Sequence, residues 1–309
     1  MPNCIPISAV IPTRNRAATL RRTLASLAEQ SYQPVEVVIV DGSDNEQTQT
    51  LCLSEAPCGL QTKLIWQRTA SLGAAVQRNQ GLKACSHSVI GFFDDDILFE
   101  PHCIERLWRA LESDPRMGGV NAMIVNQRYQ APGWVSRFVF RLMAGRSEAT
   151  YAGRVLGPAV NLLPEDRHDL PEVVPAEWLN TTCTLYRREA LPDPAFSSEF
   201  TGYSLMEDLA LSLTVGKQWK LANARTARIF HDSQPGSHKS DPRALAEMQL
   251  MNRHFVMTKL LGRNTPGDYL KLIAFELFSM ASSLRSQTGR STLPQTLLGR
   301  IGAIRRMAA

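Results

Sequence analysis

Short β-rich apolar runs alternate with helical stretches through the first 125 residues, and that alternation constrains the fold more than any other feature of the chain. Strand-like runs occupy Ile5–Ile11, Val35–Val40, Lys63–Trp66, Val89–Phe93 and Val120–Val125. Helical stretches lie between them, at about Ala17–Glu29, Gln47–Leu53, Gly73–Cys85 and Pro101–Glu112. Leu20, Leu24 and Leu27 share one face of the first, and Ala74 and Leu82 are expected to point inward from the third. Strands joined by helices need crossover connections, so the pattern predicts a doubly wound, mostly parallel α/β sheet with helices on both faces. Pro12 is expected to end the first strand, because it cannot donate to a ladder. The second half is less regular, with a strand at Thr182–Tyr186, a helix at Glu207–Val215 and strand structure over Trp219–Ile229. From about Pro242 the pattern is helical, at Ala244–Leu260 and Tyr269–Leu284. The expected organisation is a core domain over residues 1–240 and a helical C-terminal appendage over 241–309.

The run Val89–Phe93 is continuous rather than alternating, as in a strand buried on both faces, and it ends on Asp94-Asp95-Asp96. Each adjacent pair of like charges costs up to about 4 kcal/mol at about 4 Å near a protein surface. A positive guest relieves that cost, and hard carboxylate oxygens suit Mg2+ or Mn2+. Alternate residues of an extended segment point the same way, so Asp94 and Asp96 can share one face. The other reading is a solvated acidic turn leading into a helix that starts near Glu100-Pro101.

Further candidates lie at other strand ends, where open α/β sheets bind ligands. Pro12, Thr13 and Arg14 follow the first strand and Asp41 follows the second, so parallel pairing sets them side by side. A carboxylate there can accept from a ribose hydroxyl or a base N–H, or simply shape the turn before Gly42. Arg78, on the third helix, reads either as a phosphate brace or as an exposed helix charge. Glu207 and Asp208 read either as partners of a helix dipole or as a catalytic pair. In the catalytic reading Asp208 takes a proton, and Glu207 orients the group that loses it or holds a water. His231 is either structural or an imidazole ligand beside the carboxylates, a set that favours Mn2+.

The order of these pieces carries a family resemblance. Val10-Ile11-Pro12-Thr13-Arg14-Asn15-Arg16, Val38-Ile39-Val40-Asp41-Gly42-Ser43, Arg78-Asn79-Gln80-Gly81-Leu82, Phe92-Phe93-Asp94-Asp95-Asp96 and Glu207-Asp208-Leu209-Ala210-Leu211 follow one another. Over about residues 5–235 this resembles the family 2 glycosyltransferases, inverting enzymes of the GT-A fold. The resemblance implies that the loop after the first strand, Pro12-Thr13-Arg14-Asn15-Arg16, and Asp41 hold the nucleoside. Asp94 and Asp96 would be the D-x-D pair on the cation and diphosphate, with Asp95 and Arg78 beside them. Glu207-Asp208 matches the family's E-D motif, whose aspartate is the base, and His231 matches a histidine that some members use on the metal. It implies a nucleotide-diphospho-sugar donor and a glycan or lipid-linked acceptor, as in polysaccharide or glycolipid biosynthesis. The family commonly carries two aspartates where this chain has Asp41 followed by Gly42, which leaves the nucleoside contact open between Asp41 and Asp44. The Q-x-x-R-W motif of processive members is absent, so transfer of a single sugar is expected.

Composition narrows the rest. The net charge of +5 is mild, and no Lys/Arg run is interleaved with aromatics, so nucleic acid is not an expected partner. None of the six cysteines forms a C-x-x-C pair, which predicts reduced thiols and a cytoplasmic setting. The start, Met1-Pro2-Asn3, has no basic, apolar leader, and no apolar stretch reaches about 20 residues, so neither a signal peptide nor a spanning helix is expected. After Glu276 there is no acid, but Arg285, Arg290, Arg300, Arg305 and Arg306 follow, with Leu297, Leu298, Ile301 and Ile304 at helical spacing. Such a tail fits a helix lying on the anionic inner face of the cell membrane, or one packed on the protein with a basic outer face. Two rivals stand beside the transferase. A sugar-phosphate nucleotidyltransferase would need a glycine-rich loop where Pro12–Arg16 has no glycine. A non-catalytic nucleotide-sugar-binding protein would not need the intact acidic motifs.

Overall fold

The computed structural model describes residues 2–234 and 241–308. In chain order the elements are β1 (Asn3–Thr13), α1 (Ala17–Ala28), β2 (Tyr32–Asp41), α2 (Gln47–Ser54), β3 (Lys63–Arg68), α3 (Ala74–Ala84), β4 (Val89–Phe93), β5 (Ile97–Phe99), α4 (Cys103–Glu112) and β6 (Met117–Ile124). They continue with α5 (Trp134–Ala144), β7 (Val155–Leu156), β8 (Val160–Asn161), β9 (Val173–Pro175), β10 (Cys183–Arg187), α6 (Glu207–Val215), β11 (Lys220–His231), α7 (Pro242–Phe255), α8 (Pro266–Ser283) and α9 (Gln287–Ala308). The chain separates into two compact units, residues 1–129 with 163–234, and residues 130–162 with 235–309. The domain boundary expected at residue 240 falls outside the described residues. Residues 130–162 group with the C-terminal helices, which a single boundary does not foresee.

The first unit is built on one mixed sheet in the order β3-β2-β1-β4-β10-β6-β11-β5, with β9 also on β11. β3, β2, β1 and β4 are parallel, as the alternation predicts, and β6 and β11 are parallel to each other. β10 runs antiparallel between β4 and β6, and β5 and β9 pair antiparallel with β11. Strand faces alternate, and the two faces are covered by different helices. Ile7, Ile11, Ile39 and Phe93 pack with Leu20, Leu24 and Leu27 of α1, Leu51 of α2 and Leu107 of α4 in one fully buried cluster. The opposite face carries Val10 and Val40, and there α3 lies so close that a Cβ on Gly81 would stand 2.4 Å from Val10 Cγ1. Hence the glycine at position 81: only the absence of a side chain lets the helix approach this far.

Two local expectations change. β1 continues through Pro12 to Thr13. Gly42 donates its N–H to the Thr13 carbonyl, so the Pro12 backbone faces the other edge, where pairing with β4 has ended at Val10. The missing N–H therefore breaks no ladder bond. On α3 the buried residues are Ala75, Gln77, Arg78 and Gly81 rather than Ala74 and Leu82. Gln77 donates to the carbonyls of Thr13 and Val40 at 3.1 and 2.8 Å, tying the ends of β1 and β2 together.

In the second unit α7, α8 and α9 are held around one buried carboxylate. Glu276 meets Arg253 Nε at 3.2 Å and Arg300 Nε at 3.0 Å, and all three side chains are at most 9% exposed. Arg253 also donates to the Ala159 carbonyl at 2.8 Å. Arg300 thus faces inward and Arg306 pairs with Glu247, so part of the expected basic tail face is structural. Leu297, Leu298, Ile301 and Ile304 remain exposed. Among the described residues no helix is long and apolar enough to cross a membrane.

Candidate active site

The directions of β1, β2, β4 and β11 bring their carboxyl ends to one edge of the sheet, and the acidic triplet sits there. The continuous apolar run fixes β4 in the sheet centre, all five residues buried, so the chain must deliver Asp94, Asp95 and Asp96 at that edge.

Asp94 and Asp96 share a side, and His231 at the end of β11 joins them. One ligand atom from each lies within 4.8 Å of the other two. His231 Nε2 is 3.1 Å from Asp96 Oδ1, and Gln127 Nε2 is 3.1 Å from His231 Nδ1. Asn126 brackets the His231 backbone, donating to its carbonyl at 2.9 Å and accepting from its N–H at 3.1 Å. Asp96 is also met by the Gln234 N–H at 3.3 Å and by Arg16 at 3.3 Å. Burial works to raise the Asp96 pKa, but these donors hold it below the usual carboxylate range.

Asp95 turns away from that trio. It is 5% exposed, accepts from Thr13 Oγ1 at 2.6 Å and Arg16 at 3.2 Å, and its carbonyl accepts from Thr23. Burial pushes its carboxyl up to about 6, although Thr13 and Arg16 oppose the shift. Its geometry is that of an anchor for the β1 loop.

Arg78 is neither an exposed helix charge nor aimed at open space. Its side chain is 4% exposed and spans two carboxylates, donating to Asp94 Oδ1 at 2.7 Å and to Glu207 Oε1 at 2.9 Å. Burial disfavours its charge, but Asp94 and Glu207 more than offset that and raise its pKa. The guanidinium lies 5.6 Å from the centre of the Phe196 ring. Asn79 fixes that ring by exchanging two hydrogen bonds with the Phe196 backbone, at 2.7 and 2.9 Å. In Arg78-Asn79, therefore, the first residue joins the acidic motifs and the second positions the floor beneath it.

Glu207 and Asp208 open α6, immediately after a loop in which Ser204 and Met206 both take positive φ, 55° and 71°. Such backbone is costly for residues with a side chain and collects at functional sites. Asp208 Oδ1 accepts from the Leu209 N–H at 2.7 Å. Burial pushes both carboxyls of the pair up, Asp208 to about 6. At Glu207 the negative Asp208 adds to that rise and Arg78 opposes it.

Pro12 ends up half-buried within β1, and Arg14 is exposed, 3.8 Å from Asp44. Asp41 is fully buried and already engaged, accepting from the Ser43 N–H at 2.8 Å and Trp66 Nε1 at 3.1 Å. Asp44 is exposed and exchanges two hydrogen bonds with Asn15, at 2.8 and 2.9 Å. The β1 and β2 loops are thus laced together. Sequence reading missed Gln77, Asn126 and Gln127, whose roles come from contacts between elements remote in the chain. Arg16, expected in the nucleoside loop, instead reaches Asp95 and Asp96.

Comparison with known proteins bears on this arrangement. The family model described as glycosyl transferase family 2 matches residues 8–192. Validoxylamine A glucosyltransferase of Streptomyces hygroscopicus subsp. jinggangensis is 33% identical over 106 residues, 34% of this chain and 25% of that protein. The poly(ribitol-phosphate) beta-N-acetylglucosaminyltransferase TarP of Staphylococcus aureus is 30% identical over 104 residues, 33% of this chain and 32% of that protein. The alignments therefore span about a quarter to a third of these curated relatives. Among solved structures, a mannosyltransferase from Pyrobaculum calidifontis in complex with GDP-Man and Mn2+ superposes with a TM-score of 0.57 at 13% identity. That match covers 98% of this chain and 89% of the other. The likeness shows the fold, a mostly parallel mixed sheet of the GT-A type with extra C-terminal helices.

Proposed function

Because the chain belongs to glycosyl transferase family 2, we propose that it moves a single sugar from a nucleotide-diphospho-sugar to a hydroxyl of a glycan or lipid-linked acceptor, with inversion at the anomeric carbon. The observation that carries this reading is the convergence of Asp94, Asp96 and His231, linked through Arg78 to Glu207 and Asp208.

Two carboxylates and one imidazole within 4.8 Å form a donor set that fits a divalent ion, with the imidazole favouring Mn2+ over Mg2+. When bound there, such an ion neutralises charge on the leaving diphosphate. The protein's own part is placement and proton transfer. Arg78 holds Asp94 and Glu207 in fixed relation. Asp208 takes the proton of the acceptor hydroxyl as that oxygen attacks from the side opposite the diphosphate. Glu207 orients the acceptor, and the laced Arg14–Asn15 and Asp41–Asp44 loops form the nucleoside side of the site. The six cysteines are free thiols, which supports a cytoplasmic setting.

The test is a panel of nucleotide-diphospho-sugars incubated with the full chain, with and without Mn2+. Thermal stabilisation picks out the donor, because a bound ligand raises stability by mass action. Mn2+-dependent sugar release, or transfer to an added acceptor, is expected with that donor. Pyrophosphate release instead would mark a nucleotidyltransferase, and binding without turnover a non-catalytic protein.

A further inference from the structure

We infer that the second unit is a docking module for an anionic lipid bilayer, and that its contact face is the outer surface of α5 and α8. The first observation is an apolar stripe on each helix. On α5 Trp134, Phe138 and Leu142 recur at four-residue spacing and are exposed, Trp134 by 85%. On α8 Leu270, Ile273 and Leu277 recur at helical spacing and are each more than half exposed. The inner faces of the same helices are satisfied, since Phe140, Met143, Ala274 and Phe275 share one cluster. The outer stripes are thus not the residue of an unfinished core. Single exposed apolar side chains are ordinary, but here each of two helices that pack on one another through their inner faces exposes three at helical spacing, and clustered exposed apolar surface marks interaction surfaces.

Charge identifies the occupant. Arg137 and Arg141 are interleaved with the α5 stripe and exposed with it. Lys271 lies beside the α8 stripe and reaches back to the Met143 carbonyl. Over the whole second unit there are 15 Lys and Arg against 5 Asp and Glu, a net charge of +10, while the complete chain carries only +5. The first unit is therefore net acidic, and the basic excess belongs to the unit that carries the stripes. Trp, Phe and Leu beside arginines on one helix face is the composition of a helix lying in a bilayer interface, its apolar side chains among the acyl chains and its arginines at the phosphates. No described helix can span, so the unit lies on the membrane rather than in it.

The inference goes beyond the sugar-transfer reading, and its test needs no donor or acceptor. The full chain is floated with phosphatidylcholine vesicles and with vesicles that also contain phosphatidylglycerol. Strong recovery with the anionic vesicles and weak recovery with the neutral ones is expected. The double variant Arg137→Gln/Arg141→Gln should lose about 5-fold in vesicle partition per arginine, from about 1 kcal/mol each. Trp134→Ser/Leu277→Ser should lose binding at all salt concentrations while keeping the wild-type circular dichroism and melting temperature. If those variants misfold, wild-type binding that weakens with salt yet persists above zero tests the same claim. Equal recovery of wild type in the lipid-free fraction with both vesicle types would overturn the inference. So would a dimer in light scattering that Trp134→Ser/Leu277→Ser dissociates, with no vesicle binding.

Discussion

Arg78 Nη1 stands 2.9 Å from Glu207 Oε1, joining the second turn of α3 to the first residue of α6 across 129 positions of sequence. The same guanidinium holds Asp94, so the acidic end of β4 and the acid pair of α6 form one electrostatic unit around a buried cation. A buried arginine between two carboxylates is expensive to desolvate and rewards only good geometry. Here it fixes the distance between the candidate cation site and the candidate base.

Replacing that arginine should therefore separate positioning from stability. Arg78→Ala leaves Asp94 and Glu207 without their shared cation and should lower stability by about 3–5 kcal/mol. Arg78→Lys keeps the charge but not the planar fork that reaches both carboxylates. It should fold and lose about 10^2-fold in kcat with little change in donor affinity. Urea denaturation and steady-state kinetics on the two variants check this, and a fully active Arg78→Lys enzyme would show that the bridge does not position the site.

The proposed role of Asp208 as base predicts a pH profile. Burial pushes its carboxyl up to about 6, and a base works only when ionised. The rate should thus fall as pH drops through about 6 and level off above it. Asp208→Asn should cost about 10^2–10^4-fold in turnover and remove that limb. The raised pKa also has a stability sign, because the folded state holds a proton that the unfolded chain releases near 4. The folded-state penalty is absent below about pH 4, builds between about 4 and 6 and is constant above that, so Asp208→Asn should gain stability relative to wild type at pH 7 and not at about pH 3.5. Denaturant midpoints at the two pH values read this difference.

The His231 imidazole has a support that can be removed without touching the three candidate ligands. Gln127 lies 3.1 Å from His231 Nδ1. Outer partners of this kind typically govern 10–100-fold in metal affinity. Gln127→Ala should weaken Mn2+ binding by about that factor, and His231→Ala should also shift preference from Mn2+ toward Mg2+. Calorimetric titration with each ion, giving unchanged affinities in both variants, would place the metal elsewhere.

Glu276 carries the second unit. Glu276→Gln removes the anion facing Arg253 and Arg300 and leaves two buried guanidinium groups unneutralised. A loss of about 3–5 kcal/mol is expected, read as a lower denaturation midpoint. Glu247→Gln breaks a pair whose arginine, Arg306, is 69% exposed, and should cost less than about 1 kcal/mol.

The parallel half of the sheet was legible because short β-rich runs at β1, β2, β3 and β4 are separated by helix-length stretches, the first of which, α1, carries a plain apolar face of Leu20, Leu24 and Leu27. The reversed strand β10 was not, since antiparallel insertion between β4 and β6 depends on pairing partners about 60 to 100 residues away. Asp94, Asp96 and His231 were legible because strand ends fix where side chains emerge. Asp95 and Arg78 were assigned to ligand contact, and their observed partners, Thr13 and Arg16 for one and Asp94 and Glu207 for the other, are set by tertiary approach. On α3 the buried face is polar, so apolar periodicity misreads it. That residues 130–162 join the second unit is decided by tertiary contacts, which local periodicity does not report.

The proposed function places a divalent ion among Asp94, Asp96 and His231, where it would hold the donor diphosphate. Crystals of the full chain grown with Mn2+ and a nucleoside diphosphate, measured at the manganese absorption edge, test it directly. An anomalous peak within bonding distance of all three side chains and of a phosphate oxygen is expected. A bound nucleotide with no peak there, or with the peak at other residues, would rule out that metal site.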